Sequence, residues 1–257
     1  MDTPQETDAP PEDVLRASGV QYTYDGSPAL QGVSLSVAKG EIVVVTGSRG
    51  SGKTTLLGCL AGQLVPTAGE TWFGDIATHL LPAASRERLR SDHFGWIGST
   101  PQLVPELTAW ENAALPLLLR GTGHRTARTR ALEWLERLDV GGCADRRPPE
   151  LLQVQRQRIA IVRALIHTPA VLFADEPTAP LHDTDRAQVL RTLTAAARSE
   201  QLTVVLATHD VSVATAADAT GATLADRGIT LADGRTPGEE EQAGPEWEGS
   251  EACSLFA

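Results

Sequence analysis

The chain has 257 residues, enough for one large α/β domain or two small ones, and its 41% hydrophobic and 21% charged residues are typical of a globular protein. The net charge of −11 is concentrated at the two ends, because residues 14–232 carry as many basic as acidic side chains. A near-neutral body lacks the basic surface that binds phosphate backbones, so no nucleic-acid partner is expected.

The first and last segments are predicted to be disordered acidic tails. Residues 1–13 contain five acidic residues and no basic one, and residues 234–257 are rich in Glu, Pro and Gly. The first segment is the reverse of a secretory signal, which has a basic start and an apolar core. The longest apolar stretch, residues 113–119, contains Pro116 and is too short to cross a bilayer. A role at a membrane is therefore expected to depend on a separate chain.

A glycine-rich segment between a predicted strand and a predicted helix indicates a phosphate-binding loop. Residues 41–46 form a β-branched run typical of a buried parallel strand, and residues 56–61 are predicted to be helical. Lys53 is predicted to contact the β- and γ-phosphates of a nucleotide, and Thr54 to offer its hydroxyl to Mg²⁺. The residues that fit the pattern G-x-x-x-x-G-K-[ST], and the Thr that follows, are Gly47, Ser48, Arg49, Gly50, Ser51, Gly52, Lys53, Thr54 and Thr55. ATP or GTP is therefore the expected ligand.

Two further apolar runs end in polar residues that suit nucleotide hydrolysis. Residues 170–174 are a predicted buried strand, followed by Asp175, which can hold Mg²⁺, and Glu176, which can accept a proton from water. Residues 204–207 are a third predicted strand, and the imidazole of His209 shortly after it is placed to reach the γ-phosphate. The alternatives are a solvated Asp-Glu pair and a structural histidine. Their positions behind apolar strands favour the catalytic interpretation.

Taken in order, these segments resemble the ATP-binding cassette (ABC) family over about residues 14–233. The matching positions are Tyr24, residues 47–55, residues 174–178, residues 208–210 and the closing residues 225–229. The resemblance implies an α/β fold of the P-loop NTPase type with a RecA-like core. It also implies an antiparallel β-subdomain near residues 14–40 and a helical subdomain inserted at about residues 86–165.

The same resemblance implies ATP and Mg²⁺ as cofactors and gives roles to individual residues. Tyr24 is expected to stack on adenine, the alternative being a core or edge-strand aromatic. Glu176 is expected to be the general base and His209 the histidine that holds it and the attacking water. On this basis the catalytic residues are Lys53, Glu176 and His209, and the metal ligands are Thr54 and Asp175.

Residues 105–121 are similar to the branch of the family that serves lipoprotein release, macrolide export and cell-division permeases. ATPases of that branch are separate chains that bind a membrane permease, which agrees with the lack of a long apolar segment. The resemblance therefore implies a permease partner, a position at the cytoplasmic face of the plasma membrane, and ATP hydrolysis that drives export or extraction from the membrane.

One departure from the family pattern concerns the segment that reaches across a dimer. ABC ATPases usually work in pairs, in which the LSGGQ signature of one chain covers the nucleotide bound by the other. The aligned residues 151–155 read LLQVQ, so Leu152 lacks the hydroxyl and two side chains crowd the position where phosphate meets backbone. Loss of one charge-assisted hydrogen bond costs about 1.5–3 kcal/mol.

Two loops also depart from the pattern. Ser99 stands where the Q-loop glutamine is expected, and Gln102 is either a substitute for it or an ordinary loop residue. The D-loop aspartate position holds His182, with Asp183 next to it. The groups that bind ATP within the chain are thus retained, while those that face a second subunit are altered. We therefore expect pairing with a second ATPase subunit that carries an intact signature, with a homodimer as the alternative.

Three functions are consistent with these features. The leading hypothesis is ATP hydrolysis that drives a separate permease. The second is a low-turnover, ATP-gated subunit that dimerises and transmits a conformational change to a membrane partner. A soluble cassette that acts on ribosomes or DNA is disfavoured by the near-neutral body and by the lack of a second cassette.

Overall fold

The computed structural model describes residues 13–179, 181–215 and 224–236. The strands are β1 (Asp13–Tyr24), β2 (Ser27–Ala38), β3 (Ile42–Thr46), β4 (Ala68–Phe73), β5 (Ile76–Ala77), β6 (Phe94–Ile97), β7 (Val171–Asp175), β8 (Thr203–Thr208) and β9 (Arg227–Thr230). The α-helices are α1 (Lys53–Leu60), α2 (Ala83–His93), α3 (Ala109–Leu119), α4 (His124–Arg137), α5 (Gln153–Leu165), α6 (Asp183–Ser199) and α7 (Ser212–Thr215). Within these ranges, no helix combines the length and the apolar character needed to cross a bilayer.

The first sheet is antiparallel, with the strand order β2-β1-β4-β5. β1 and β2 are joined by Asp25 and Gly26, which both have positive φ (46° and 87°). Two consecutive residues of this kind form the turn whose twist matches that of a β-hairpin. The turn folds the start of β2 back beside Tyr24, the last residue of β1.

The second sheet is parallel, with the strand order β6-β7-β8-β3-β9. Every residue of β3 and β8 is buried, as expected for strands covered on both faces. Ile42 and Val44 of β3 pack in a cluster with helices α3 to α6, while Val43 and Val45 pack with α1 and the antiparallel sheet. Because neighbouring side chains of a strand point to opposite faces, the helices and the antiparallel sheet cover opposite sides of the parallel sheet.

This architecture confirms the predicted P-loop NTPase fold with an antiparallel β-subdomain and a helical subdomain. The expected start of the helical subdomain at residue 86 is wrong. Helix α2 runs directly into β6, and β6 pairs with β7 inside the parallel sheet. Leu89 and Phe94 also pack with the antiparallel-sheet cluster. The helical insertion therefore begins only after Ile97.

The expected acidic tails lie mostly outside the described residues, and their inner boundaries need correction. Asp13 is part of β1, where it pairs with Ala38 of β2. Residues 234–236 belong to the last described turn, in which the N–H of Gly234 donates to the carbonyl of Ser51 at 3.1 Å. The folded part therefore includes residue 13 and extends past residue 233.

The loop that enters α3 is fixed by side chains of the helix itself. The hydroxyl of Thr108 accepts from the N–H of Glu111 at 3.4 Å, and the Glu111 carboxylate accepts from the N–H of Thr108 at 2.8 Å. This reciprocal pair is a capping box. The buried Asn112 accepts from the N–H of Val104 at 2.7 Å and places its Nδ2 3.0 Å from each of three loop carbonyls. One buried amide thus shapes the entry to the helical subdomain.

Asn112→Ala is expected to lower the free energy of unfolding by about 1–3 kcal/mol, because buried backbone groups lose their partner. Urea-induced unfolding measures this difference. Gln63→Ala, which removes an exposed amide with no hydrogen bond in the described ranges, is the control and should change stability by less than about 0.5 kcal/mol. Equal stability of the two variants would show that other contacts hold the loop.

Candidate active site

The phosphate-binding loop lies between the end of β3 at Thr46 and the start of α1 at Lys53. It opens onto a cavity of about 550 Å³. The residues that line this cavity are Tyr24, Ser27, Pro28, Ala29, Arg49, Gly50, Gly52, Lys53, Thr54, Thr55, Ser99, Glu176, Ala179 and His209. β3, β8 and β7 are parallel neighbours, so the groups that follow them meet at one edge of the sheet.

Lys53 is the first residue of α1, and its side chain is held inside the loop. Its Nζ donates to the carbonyl oxygens of Gly47 at 2.7 Å and Ser48 at 2.8 Å. Burial lowers the pKa of the Lys53 ammonium, while the carboxylates of Glu176 and Asp175 act in the opposite direction. The loop thus holds a cation at the position where a phosphate chain would lie.

Thr54 and Asp175 form a pair of oxygen ligands beside the loop. The Thr54 hydroxyl lies 2.9 Å and 3.1 Å from the two carboxylate oxygens of Asp175. Burial raises the pKa of the Asp175 carboxyl, and the hydrogen bond from Thr54 opposes this effect. A hydroxyl and a carboxylate that converge on one point are ligands that Mg²⁺ accepts together with phosphate oxygens and water. The pair therefore fits the predicted metal site.

Glu176 and His209 are in direct contact at the edge of the cavity. Nδ1 of His209 lies 2.8 Å from Oε2 of Glu176. The backbone of Glu176 has φ of 49°, and its N–H donates to the carbonyl of Ala207 at 2.8 Å. Positive φ is costly for a residue with a side chain, and such conformations cluster at functional sites. The sharp turn after β7 directs the carboxylate toward the imidazole and the cavity.

Tyr24 lies at the mouth of the cavity, 46% exposed. Its ring contacts the ring of Tyr22 edge to face, with centroids 4.8 Å apart, and its hydroxyl is 3.5 Å from that of Thr55. A core aromatic would be buried, whereas Tyr24 is exposed; it pairs with Ser27 of β2 and lies beyond the residues of β1 that pair with β4. An exposed, supported ring beside the loop offers a stacking surface.

Some predicted residues contribute to the site without lining the cavity. The carbonyls of Gly47 and Ser48 hold Lys53, and the buried hydroxyl of Ser51 has no hydrogen-bond partner among the described residues. Asp175 lines another, smaller cavity of about 220 Å³ rather than the first.

The residues of the larger cavity that were not predicted from the sequence are Ser27, Pro28, Ala29 and Ala179. Only the Asp25-Gly26 pair, typical of a hairpin turn, gave a signal for the first three.

Ser99, rather than Gln102, reaches the nucleotide-sized cavity. Ser99 lines both cavities, whereas Gln102 is exposed and lines only the smaller one, together with Asp175. The buried side chain of Gln157 in α5 donates to the carbonyl of Gly98 at 3.2 Å, which ties α5 to this loop. The position expected for the Q-loop glutamine thus carries a short hydroxyl side chain.

Residues 151–155 include the start of α5. Leu152 is the N-cap residue of that helix, 68% exposed and without an oxygen in its side chain. Its own N–H donates to the side-chain oxygen of Gln155 at 2.9 Å. His182 similarly begins α6 without a side-chain capping hydrogen bond, and the side chain of Asp183 lies outside the described part. The start of α5 therefore presents an apolar side chain to solvent.

A family model described as "ABC transporter" matches residues 30–179, more than half of the chain. The chain belongs to the ABC transporter family. The match contains the phosphate-binding loop and the Asp175-Glu176 pair, and it extends through the helical subdomain. The chain is thus the ATP-binding subunit of an ABC transporter, an ATPase whose hydrolysis is coupled to transport.

Several relatives cover most of this ABC ATPase. It is 37% identical over 218 residues to the lipoprotein-releasing system ATP-binding protein LolD of Xanthomonas oryzae, an alignment that covers 83% of this chain and 88% of LolD. It is 38% identical over 187 residues to the ABC transporter ATP-binding protein YtrE of Bacillus subtilis, which covers 73% of this chain and 81% of YtrE.

A solved structure agrees with the fold. The ATP-binding cassette MJ0796, a dimer in a post-hydrolysis state bound to ADP and Pi, has a TM-score of 0.76 and 32% identity. That comparison covers 87% of this chain and 96% of MJ0796. MJ0796 thus binds nucleotide as a dimer.

The partly buried Asp175 is expected to make the free energy of unfolding of the nucleotide-free protein depend on pH. Because its pKa is raised above the ordinary 3.8, the folded chain holds this proton more tightly than the unfolded chain. The free energy of unfolding is therefore lowered by the full amount at a pH above the pKa of Asp175 in the folded chain. The effect disappears at a pH below its pKa in the unfolded chain. Asp175→Asn is therefore expected to stabilise the nucleotide-free protein at pH 7 by up to about 1 kcal/mol, allowing for solvent screening.

Urea unfolding across a pH series measures this effect. The advantage of Asp175→Asn should shrink as the pH falls toward about 4. Asp92→Asn, which neutralises an exposed carboxylate on α2, serves as the control. A pH-independent difference between wild type and Asp175→Asn would contradict burial of the charge as its cause.

Proposed function

We propose that this chain binds ATP and Mg²⁺ through its phosphate-binding loop and hydrolyses ATP with Glu176, driving a separate membrane permease. The observation that carries the proposal is the 2.8 Å contact between His209 and Glu176 in the cavity that the loop lines. A carboxylate held by an imidazole beside a phosphate-binding loop has the groups needed to activate water. Through the permease, the chain would act at the cytoplasmic face of the plasma membrane.

In this proposal each side chain has one task. Lys53 donates to the β- and γ-phosphate oxygens, and Tyr24 gives adenine a stacking surface. Thr54 and Asp175 hold Mg²⁺ through their oxygen atoms. Mg²⁺ held there would supply positive charge that stabilises the charge developing during phosphoryl transfer.

The hydrolytic step follows from the contact between Glu176 and His209. With a proton on Nδ1, His209 donates to Glu176 and fixes the orientation of the carboxylate. Glu176 accepts a proton from the attacking water as the water oxygen bonds to the terminal phosphorus. The bond from that phosphorus to the bridging oxygen breaks, and ADP carries the electron pair away.

The transport step is proposed to be export or extraction from the membrane. The support is the similarity to LolD over 218 residues and the resemblance of residues 105–121 to the same branch. A lipid-anchored protein would then be the class of molecule moved. Recognition of that molecule would then belong to the permease rather than to this chain.

We also infer that the second ATPase subunit carries an intact signature. Leu152 is exposed at the start of α5 and offers no hydroxyl to a nucleotide on a facing chain. The composite site built on this chain's loop and the partner's signature would hydrolyse ATP, whereas the site covered by residues 151–155 would turn over slowly. A homodimer would contain two sites of the weaker kind.

A second candidate function is a low-turnover, ATP-gated subunit that signals to a membrane partner. The exposed Leu152 favours this function, because a side chain that offers the γ-phosphate no hydrogen bond slows closure of the dimer over ATP. The groups at the opposite side of the site favour hydrolysis, since a regulatory subunit has no need of the Glu176–His209 contact. The two functions differ in whether removal of the general base stops transport.

Glu176→Gln is expected to reduce ATP turnover by about 10²- to 10⁴-fold, since it removes the proton acceptor. ATP should still bind, because the phosphate-binding loop is unchanged. Phosphate release and calorimetric titration measure the two properties, and Glu87→Gln, an exposed position on α2, is the control. Transport that persists in Glu176→Gln would support the regulatory alternative.

Leu152→Ser is expected to raise the turnover of the isolated chain by about tenfold, because a second copy would then offer a hydroxyl to the nucleotide. Leu152→Ala removes the same apolar side chain without adding an oxygen and should have a much smaller effect. Wild-type chain mixed with a partner that has an intact signature should reach high turnover. Full activity of the isolated wild-type chain would contradict the inferred asymmetry.

A further inference from the structure

The tip of the phosphate-binding loop carries an arginine. Ser48 to Ser51 form a four-residue turn, closed by a hydrogen bond from the N–H of Ser51 to the carbonyl of Ser48 at 3.2 Å. Gly50, the third residue of the turn, has φ of 82°, which glycine adopts without strain. Arg49 is the second residue, so its side chain projects from the tip. It is exposed and lines the nucleotide-sized cavity.

The basic groups of this cavity differ in how they are used. Lys53 donates to two loop carbonyls, and His209 contacts the carboxylate of Glu176. Arg49 has no hydrogen-bond, ion-pair or aromatic partner among the described residues. The cavity thus contains a guanidinium that none of the described residues neutralises.

The charge balance of the site gives this guanidinium a function. Glu176 lines the cavity and Asp175 lies beside the loop, so both carboxylates repel the terminal phosphate of ATP, while Lys53 already donates to two loop carbonyls. Arginine stays charged at any physiological pH, and its planar fork of donors fits two phosphate oxygens at once. A second cation at the cavity mouth would offset the repulsion that a third phosphate adds.

We infer that the Arg49 side chain donates to the terminal phosphate of the ATP bound by its own chain, so that the chain discriminates ATP from ADP without help from a partner. The inference rests on the proposed function and assigns a specificity role within that site. Such a contact would help to retain ATP in this chain before a facing chain closes over it.

The test compares the affinities of ATP and ADP in the Glu176→Gln background, which prevents hydrolysis during the measurement. Calorimetric titration of the isolated chain with each nucleotide and Mg²⁺ gives the two dissociation constants. Arg49→Ala is expected to weaken ATP binding by about 10- to 100-fold, the range for a charge-assisted hydrogen bond, while ADP binding changes by less than about threefold. Arg49→Lys, which keeps the charge but loses the fork, should fall between the two.

Arg88→Ala is the matched control, because it removes one exposed arginine on α2, away from the cavity. Equal losses for ATP and ADP in Arg49→Ala would overturn the inference, since they would indicate general electrostatic attraction. Unchanged affinities would also overturn it and would leave Arg49 facing a partner chain. If the Glu176→Gln protein with its loop intact binds neither nucleotide, the proposed function itself fails.

Discussion

The parallel alignment of β3, β8 and β7 determines where the reactive groups of this protein lie. Thr46 pairs with Thr208 and Asp175 with Ala207, so the loop after β3, the carboxylates after β7 and the imidazole after β8 leave the sheet at one edge. The N–H of Glu176 donates to the carbonyl of Ala207, which continues the ladder beyond β7. In buried strands a slip by one residue would exchange the two faces, so the cores on both sides maintain this register. The register of the parallel sheet therefore fixes the relative positions of the loop, the carboxylates and the imidazole.

The same edge concentrates charges that the protein stabilises poorly by itself. Burial lowers the pKa of Lys53 and raises that of Asp175, so both groups are drawn toward their neutral forms. The hydrogen-bond partners of Lys53 and Asp175 are neutral groups, two carbonyls and the Thr54 hydroxyl, and their opposite charges only partly offset the effect of burial. A phosphate chain and a divalent cation would supply further counter-charges. Binding of such ligands is therefore expected to stabilise the folded chain.

Sequence reasoning located the parts of the site that follow buried strands. Continuous β-branched runs are typical of strands buried in a parallel sheet. The polar residues that follow such strands then lie together at the edge where the strands end. It missed β4 and β5, because their residues are mostly exposed and lack an apolar pattern. It also missed the start of the helical subdomain, since the pairing of β6 with β7 joins residues far apart in the chain. Ser27, Pro28 and Ala29 reach the cavity only because a hairpin folds them there.

The segment 105–112 shows how a family resemblance and a physical role differ. Sequence comparison marked it as typical of a branch, whereas the structure shows Asn112 joined to three loop carbonyls and to the N–H of Val104. No periodicity reveals such a role, because it depends on the folded path of the loop. The segment fixes the entry to α3 and hence the placement of helices that pack against α5.

Retention of ATP and closure over it are separate tasks in a site shared by two chains. The groups for retention, Lys53, Tyr24 and the inferred Arg49 contact, all come from this chain. Closure depends on the signature segment of the facing chain, and in a second copy of this chain the side chain of Leu152 would offer the nucleotide neither charge nor hydrogen bond. A chain with strong retention and weak closure would bind ATP alone yet hydrolyse it slowly, and a partner with an intact signature would increase the rate without changing the affinity much. Arg49 and Leu152 are therefore consistent with one arrangement in which the partner controls turnover.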